Sequence, residues 1–320
     1  MQDLRKLECA WKLSPILETR VPDTGTIHQT LLLSTAEGSY ALRAYRYGQE
    51  KLWRIEAEHR LIAHVWASGL PAIRPLPLAQ GGTILASQGR YYALFPFAEG
   101  QQIARTKLSV KEMAAMGSFL GWVHRALASY AHDKVPPRPL AVDHEATMRQ
   151  IDVLVELISA RAGLDEVDEI ALSRLEQRRR WLISAQPAQN TMAHLEQQVI
   201  HGDYQESNIF FKDGAVCAII DWDQAYVAPR AWEIMRVFHY VGKFAPVFCR
   251  TFLQAYREAF PLALEDLDSA AEAYSWIRAH DLWLYEEFYM HHNQRVRKLF
   301  DPSSFRPLIE RWAQVRGALQ

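Results

Sequence analysis

At 320 residues, 49% of them hydrophobic and 11% aromatic, the chain is long enough for one large domain or two lobes around a substantial core. Its 36 Lys and Arg against 37 Asp and Glu leave a formal net charge of −1, which excludes an overall electrostatic pull toward nucleic acid or an acidic membrane. The charged N-terminus has no signal core, and no run reaches the roughly 18 apolar residues of a membrane span. Cys9, Cys217 and Cys249 make no metal spacing, so a soluble, cytoplasmic protein is expected.

Taken in order, Leu4, Leu7 and Trp11 predict a short amphipathic helix over 3–13. The run VPDTGTIHQTLLLSTAEGSYALRAYRYG then predicts strands over 26–34 and 40–45, with a turn near Glu37-Gly38. Gly25 starts a turn suited to covering phosphates. The chain has no GxGxxG or Walker A pattern, and no Lys is followed by Ser or Thr. Arg43 lies on the strand YALRAYR with Leu42 and Ala44 on the opposite face, and taken alone it also fits an exposed strand arginine. Leu52, Ile55, His59, Ile62 and Trp66 predict a helix over 49–68. It carries Glu56 and Glu58, which taken alone also fit a solvated helix face. The proline-rich GLPAIRPLPLAQGG reads as a connector, and GTILASQGRYYALFPFAEG as a second hairpin turning at Gln88-Gly89.

Ser109 followed by Glu112 is a capping box, opening a helix with Met113, Met116, Leu120, Val123 and Leu127 as its apolar stripe. His124 on that helix reads as structural. Two charged helices follow, over 144–162 and 167–185, joined near Gly163. The run SRLEQRRRW has acidic neighbours and reads as a solvated face rather than a nucleic-acid patch.

The densest chemistry lies in HGDYQESNIFFKDGAVCAIIDWD, residues 201–223. Ile209, Phe210 and Phe211 predict one strand, Asp213-Gly214 a tight turn, and Val216 to Ile220 a second strand that delivers Asp221 at its end. Cys217 reads as a small reduced hydrophobe in that strand. The hairpin brings Asn208 close to Asp221, with Asp203 five residues earlier on a loop. Two carboxylates and an amide suit a magnesium-dependent phosphoryl transfer. The metal takes hard oxygen ligands, and a free carboxylate accepts the proton of an attacking hydroxyl. Asp223 is either a second metal-side or substrate-side carboxylate or a structural cap. Pro229 starts a helix with Trp232, Met235, Phe238 and His239, and the rest, 244–320, reads as helical. Trp276, Trp283, Tyr285, Phe288 and Tyr289, near Asp281, Glu286 and Glu287, suit helix-core packing or a cage for a quaternary ammonium or polyamine. Core packing is the commoner origin of such spacing. His291-His292 has no partner at i+4 and predicts no metal.

Residues 201–223 resemble the catalytic and metal-binding segments of the aminoglycoside phosphotransferase and choline kinase-like family, with Ser207 where many relatives carry Gly. The resemblance implies an α+β, bilobal protein-kinase-like fold. A small antiparallel-sheet N-lobe over 1–97 would bind nucleotide. A larger, mainly helical C-lobe over 98–320 would hold the catalytic loop, the metal site and the acceptor-binding region. It implies Asp203 as catalytic base and Asn208 and Asp221 as Mg²⁺ ligands. Arg43 would contact the phosphates of ATP, oriented by Glu58, with Glu56 as the alternative. The family usually has Lys at that position, and the planar fork of Arg differs from it in contact geometry. Backbone groups of Phe95 to Phe97 would bind adenine. Pro96 has no amide, so a donor there is Phe97 or Ala98. Glu233 resembles an acidic residue that anchors the loop after the metal-binding Asp.

Three readings compete. The first is an ATP-dependent kinase of a small-molecule hydroxyl, on an aminoglycoside, amino alcohol, sugar or amino acid. The second is a bacterial Ser/Thr protein kinase of the same fold, and the third a non-catalytic nucleotide-binding module. The short span from Asp221 to the next expected helix favours the first. No nucleic-acid or membrane partner is expected.

Overall fold

The computed structural model describes residues 4–22, 29–136, 138–188 and 191–319. The expected turn at Gly25 and the start of the strand expected from Thr26 lie outside the described residues. Strands β1 (Glu18–Arg20), β2 (Gln29–Thr35), β3 (Gly38–Tyr45), β4 (Leu85–Ser87) and β5 (Arg90–Pro96) form a five-stranded antiparallel sheet in the order β1-β2-β3-β5-β4. Strand β1 carries no sequence signal because all three of its residues are exposed. The β4–β5 hairpin turns at Gln88 and Gly89, with φ of 52° and 72°. Positive φ at both positions matches the right-handed twist of the flanking strands.

Helix α1 (Leu4–Trp11) buries Leu7 and Trp11 in a core with Leu33, Leu42 and Leu94 of the sheet. Helix α2 (Leu52–Ala67) buries Ile55, Leu61, Ile62 and Val65. Trp66, expected on that stripe, is instead 47% exposed, its ring covered by the Arg74 guanidinium at 3.4 Å. Helix α3 (Val110–Leu127) opens with the expected capping box, the amide of Ser109 donating to Glu112 at 2.9 Å. Its stripe from Met113 to Leu127 is fully buried.

The chain divides into two compact units. The first comprises Met1–Pro137, Gln197–Glu233 and Thr251–Pro261, so residue 97, the expected lobe boundary, falls inside it. Beyond the sheet it contains two strand pairs, β6 (Gln197–Ile200) with β9 (Tyr226–Pro229) and β7 (Ile209–Lys212) with β8 (Ala215–Ile219). The Asp213-Gly214 turn again has positive φ at both residues, 53° and 80°. The connector after α2 runs beside β8, where the Ile219 amide donates to Pro71 O at 3.0 Å. Cys217 is only half-buried, its thiol donating to Glu99 O at 3.1 Å. Of the next two helices, α6 (Arg230–Tyr240) and α7 (Pro246–Ala259), the first unit takes residues 230–233 and 251–259. Gly117 of α3 lies so close to α7 that a Cβ would strike the Phe252 carbonyl.

The second unit comprises Arg138–Glu196, Ile234–Arg250 and Leu262–Gln320. It contains α4 (His144–Ser159), α5 (Glu166–Ser184), α8 (Leu264–Ala279), α9 (Trp283–Tyr285) and α10 (Leu308–Arg316). Ile151, Leu154, Leu175, Trp276, Tyr285, Phe288 and Tyr289 share one core. Four of the five aromatic residues weighed for a cage are thus packing residues, and only Trp283 is exposed, at 52%. Within SRLEQRRRW, Arg179 and Arg180 pair with Asp152 and Glu176. Arg178 is an exception to the expected solvated face. It is buried, with its Nη1 on the carbonyls of Ala279 and Asp281 at 2.9 and 2.7 Å. Among the described residues, no helix is long and apolar enough to cross a membrane.

Candidate active site

The loop leaving β6 is held by its own first residue. His201 is fully buried, and its Nε2 donates to Ile220 O at 3.0 Å. That fixes the tautomer, so Nδ1 accepts the Asp203 amide at 3.2 Å. Gly202 has φ 80°, and a Cβ there would strike the Gln224 carbonyl. Only glycine lets the two loops approach this closely.

Glu233, at 0% exposure, ties down the same loop. Its Oε2 accepts from the His201 amide at 3.0 Å and from His124 Nε2 at 2.9 Å, and its Oε1 from the Gly202 amide at 2.6 Å. Burial opposes the Glu233 charge, but these donors outweigh it and hold the carboxyl below its ordinary range. For His124, burial wins over the pull of Glu233 and lowers its pKa. The neutral ring donates to Glu233 and accepts the Tyr256 hydroxyl at 2.9 Å.

Asp203 itself is half-buried. Its Oδ2 accepts two amide donors, Gln205 Nε2 at 3.0 Å and Asn208 Nδ2 at 2.9 Å. Asn208 Nδ2 also donates to the Asp203 carbonyl at 2.9 Å. With the amide nitrogen committed to Asp203, the Asn208 side-chain oxygen is turned away from it. The Asn208 carbonyl accepts the Ile220 amide at 3.0 Å, which places the loop beside the residue preceding Asp221. Asp221, two residues past the end of β8, lies in the left-handed region, φ 68° and ψ 60°, a conformation that Asp tolerates better than most side chains.

Arg43, on the central strand β3, joins two of the expected site residues. Its Nη1 meets Glu58 Oε1 at 2.7 Å and its Nη2 meets Asp221 Oδ1. Glu56 instead lies near Arg60, at 3.9 Å on the exposed side of α2. Burial works against the Arg43 cation, but Glu58, Asp221 and Asp223 hold it charged, well above its ordinary value. Burial pushes Glu58 up to about 7, against the pull of Arg43 and with the added repulsion of Asp223 and Asp221. Asp223 follows Asp221 in a short turn and accepts from Gln224 at 3.3 Å. At the end of β5, the Phe97 amide donates to Ser39 O at 3.1 Å, so it is already used within the sheet. The Phe95 ring packs edge-on against His59.

Gln205 and His201 are further members of the site. Gln205 gave no signal beyond its spacing of two from Asp203. His201 was visible only as the first letter of the motif.

A model of the phosphotransferase enzyme family matches residues 18–273. The chain belongs to this family. A stress response kinase A of Salmonella choleraesuis is 24% identical over 221 residues, 68% of this chain and 62% of that protein, so the match spans under two thirds of that relative's length. A homoserine kinase of Caulobacter vibrioides is 24% identical over 254 residues, 75% of this chain and 72% of its own. Among solved structures, the spectinomycin phosphotransferase APH(9)-Ia in complex with ADP and spectinomycin matches with a TM-score of 0.69 at 16% identity, over 99% of this chain and 98% of that one. An aminoglycoside phosphotransferase of Alicyclobacillus acidocaldarius matches with a TM-score of 0.67 at 14% identity, over 95% and 90% of the two chains. The fold of this phosphotransferase-family chain is therefore the kinase-like α+β fold.

Proposed function

We propose that the chain is an ATP-dependent phosphotransferase that moves the γ-phosphoryl group to a hydroxyl of a small molecule. The observation that carries this reading is the double amide grip on Asp203 Oδ2, in the same compact unit as the Arg43–Asp221 contact. Phosphoryl transfer asks a protein mainly to position the reactants and neutralise charge, and this cluster offers both.

In the proposed mechanism Asp203 accepts the proton of the acceptor hydroxyl as its oxygen bonds to the γ-phosphorus. The bond from that phosphorus to the bridging oxygen breaks, and ADP leaves with the electron pair. Gln205 and Asn208 fix the rotamer of the Asp203 carboxylate. Glu233 and His201 fix the backbone that carries it. Arg43, oriented by Glu58, turns from Asp221 to the nucleotide phosphates. Asn208 and Asp221 are the proposed Mg²⁺ ligands, and their oxygen-only donor set fits a hard cation. When bound, the ion would neutralise the phosphate charge that builds during transfer. Asp223 is proposed as a supporting carboxylate. With the Phe97 amide committed to Ser39, Ala98 is the favoured adenine donor, and Phe95 contributes its ring to that wall.

A small-molecule acceptor is in keeping with the relatives named for spectinomycin and homoserine. A protein acceptor is the second reading, because one relative, 24% identical over 221 residues, is named a serine/threonine protein kinase, RdoA of Salmonella typhimurium. ATP consumption against spectinomycin, kanamycin, homoserine and a generic protein substrate tests both, with Asp203→Asn as control. Turnover with a small molecule, reduced about 10²–10⁴-fold in Asp203→Asn, is expected. Turnover with the protein alone selects the second reading. No turnover with any acceptor, together with Mg²⁺-independent ATP binding, overturns both.

A further inference from the structure

The second unit holds a cavity of about 160 Å³, lined by Arg174 and Arg178 of α5, Arg278 of α8, and Trp283, Leu284 and Leu299. Asp281 and Asp301 also line it, so arginines outnumber carboxylates. Arg278 is committed to Asp281. Arg174 and Arg178 have no carboxylate within ion-pair distance among the described residues. Arg174 Nη1 reaches the carbonyls of Asp301 and Ser303.

Arg178 is only 8% exposed. Its Nη1 donates to the carbonyls of Arg278, Ala279 and Asp281, at 3.3, 2.9 and 2.7 Å. Those bonds cap the end of α8 and explain one corner of the guanidinium. The Nε is buried without a hydrogen-bond partner, and Nη2 makes no hydrogen bond among the described residues. An unpaired buried donor is costly, more so on a charged group. The Nε–Nη2 edge is also the planar fork that matches a carboxylate or phosphate with two parallel hydrogen bonds. The fork is preorganised, because its far corner is pinned by three carbonyls and its plane lies near the rings of Tyr285 and Phe305, at 5.7 and 5.0 Å. Trp283, 52% exposed, offers a flat apolar face beside it.

We propose that this cavity binds a small molecule bearing a carboxylate or phosphate group, its oxygens on the unpaired Nε–Nη2 edge of Arg178 and its remaining atoms against Trp283. A cavity of about 150 Å³ accommodates a benzene-sized molecule, so a ring of that size fits beside Arg178. Arg174 adds a second positive charge one helical turn away. The site stands apart from the phosphotransfer reading and does not depend on it.

Calorimetric titration of the full chain with sodium benzoate and with inorganic phosphate, at constant ionic strength and in saturating ATP, tests the proposal. Saturable binding of either anion is expected, weakened tenfold or more in Arg178→Lys, which keeps the charge and removes the fork. Benzoate alone binding identifies a carboxylate ligand, and phosphate alone a phosphate ligand. Arg174→Gln and Trp283→Ala, at less buried positions, carry the same test should Arg178→Lys fail to fold. Absence of saturation below about 10 mM for both anions, or binding unchanged in Arg174→Gln and Trp283→Ala, overturns it.

Discussion

Arg43 and Glu58 form an ion pair of 2.7 Å in which the glutamate side chain is 3% exposed, and the same guanidinium reaches Asp221. Removing one partner of such a pair leaves an uncompensated buried charge. Arg43→Met should therefore cost about 3 kcal/mol at pH 8, read by urea unfolding. The loss should shrink at pH 5.5, because the stranded Glu58, already raised to about 7, can take up a proton. The double variant Arg43→Met with Glu58→Gln should lose less than the sum of the single losses. Strict additivity would show that the pair is not coupled.

Glu233 gives a larger effect through a different route. Truncation to Ala strands the amides of His201 and Gly202 and the ring of His124 without an acceptor. A loss of about 3–5 kcal/mol is expected in denaturant unfolding. Glu233→Gln keeps one acceptor oxygen and should lose roughly half as much. Equal stability of the Ala variant and the parent would contradict the anchoring role.

Gln205 is predicted to matter for rate and not for folding. It is half-buried and donates one of the two hydrogen bonds to Asp203 Oδ2. Gln205→Ala should lower kcat about tenfold, the worth of one such bond, with the melting temperature within a few degrees of the parent. A large fall in melting temperature with kcat preserved would refute this division.

Acid should destabilise the protein through a buried histidine. His59 bonds Tyr45 and Thr83 at 3.1 and 2.7 Å, and burial, aided by Arg43, lowers its pKa from 6.5 to about 4. The unfolded chain takes up that proton first as pH falls. The stability is therefore full above pH 6.5 and is lost as pH falls toward 4. The shift corresponds to about 3 kcal/mol. Unfolding free energies measured at pH 7 and pH 4.5 should converge in His59→Gln relative to the parent, and parallel curves would exclude His59 as the source.

Much of this arrangement is legible in the sequence because its signals are local. Gln88-Gly89 and Asp213-Gly214 dictate turns through their own backbone preferences, and Ser109 with Glu112 caps a helix within one turn. The apolar stripe of α3 needs no knowledge of its partner. What stays hidden depends on distant contacts. Strand β1 is exposed throughout, Arg178 is buried where it bonds the carbonyls at the end of α8, and Trp66 leaves its stripe to lie under Arg74. The Asp203 grip by Gln205 is local in the chain but has no periodicity to announce it.

The first unit is assembled from three separated stretches, the last being Thr251–Pro261. Domains fold as units while the chain emerges from the ribosome, and here α3 awaits the helix whose Phe252 backbone presses against Gly117. The sheet and the HGD loop can be synthesised long before that surface arrives. A nascent chain stalled ahead of residue 251 would thus carry every proposed catalytic side chain and still expose the flank of α3 to chaperones.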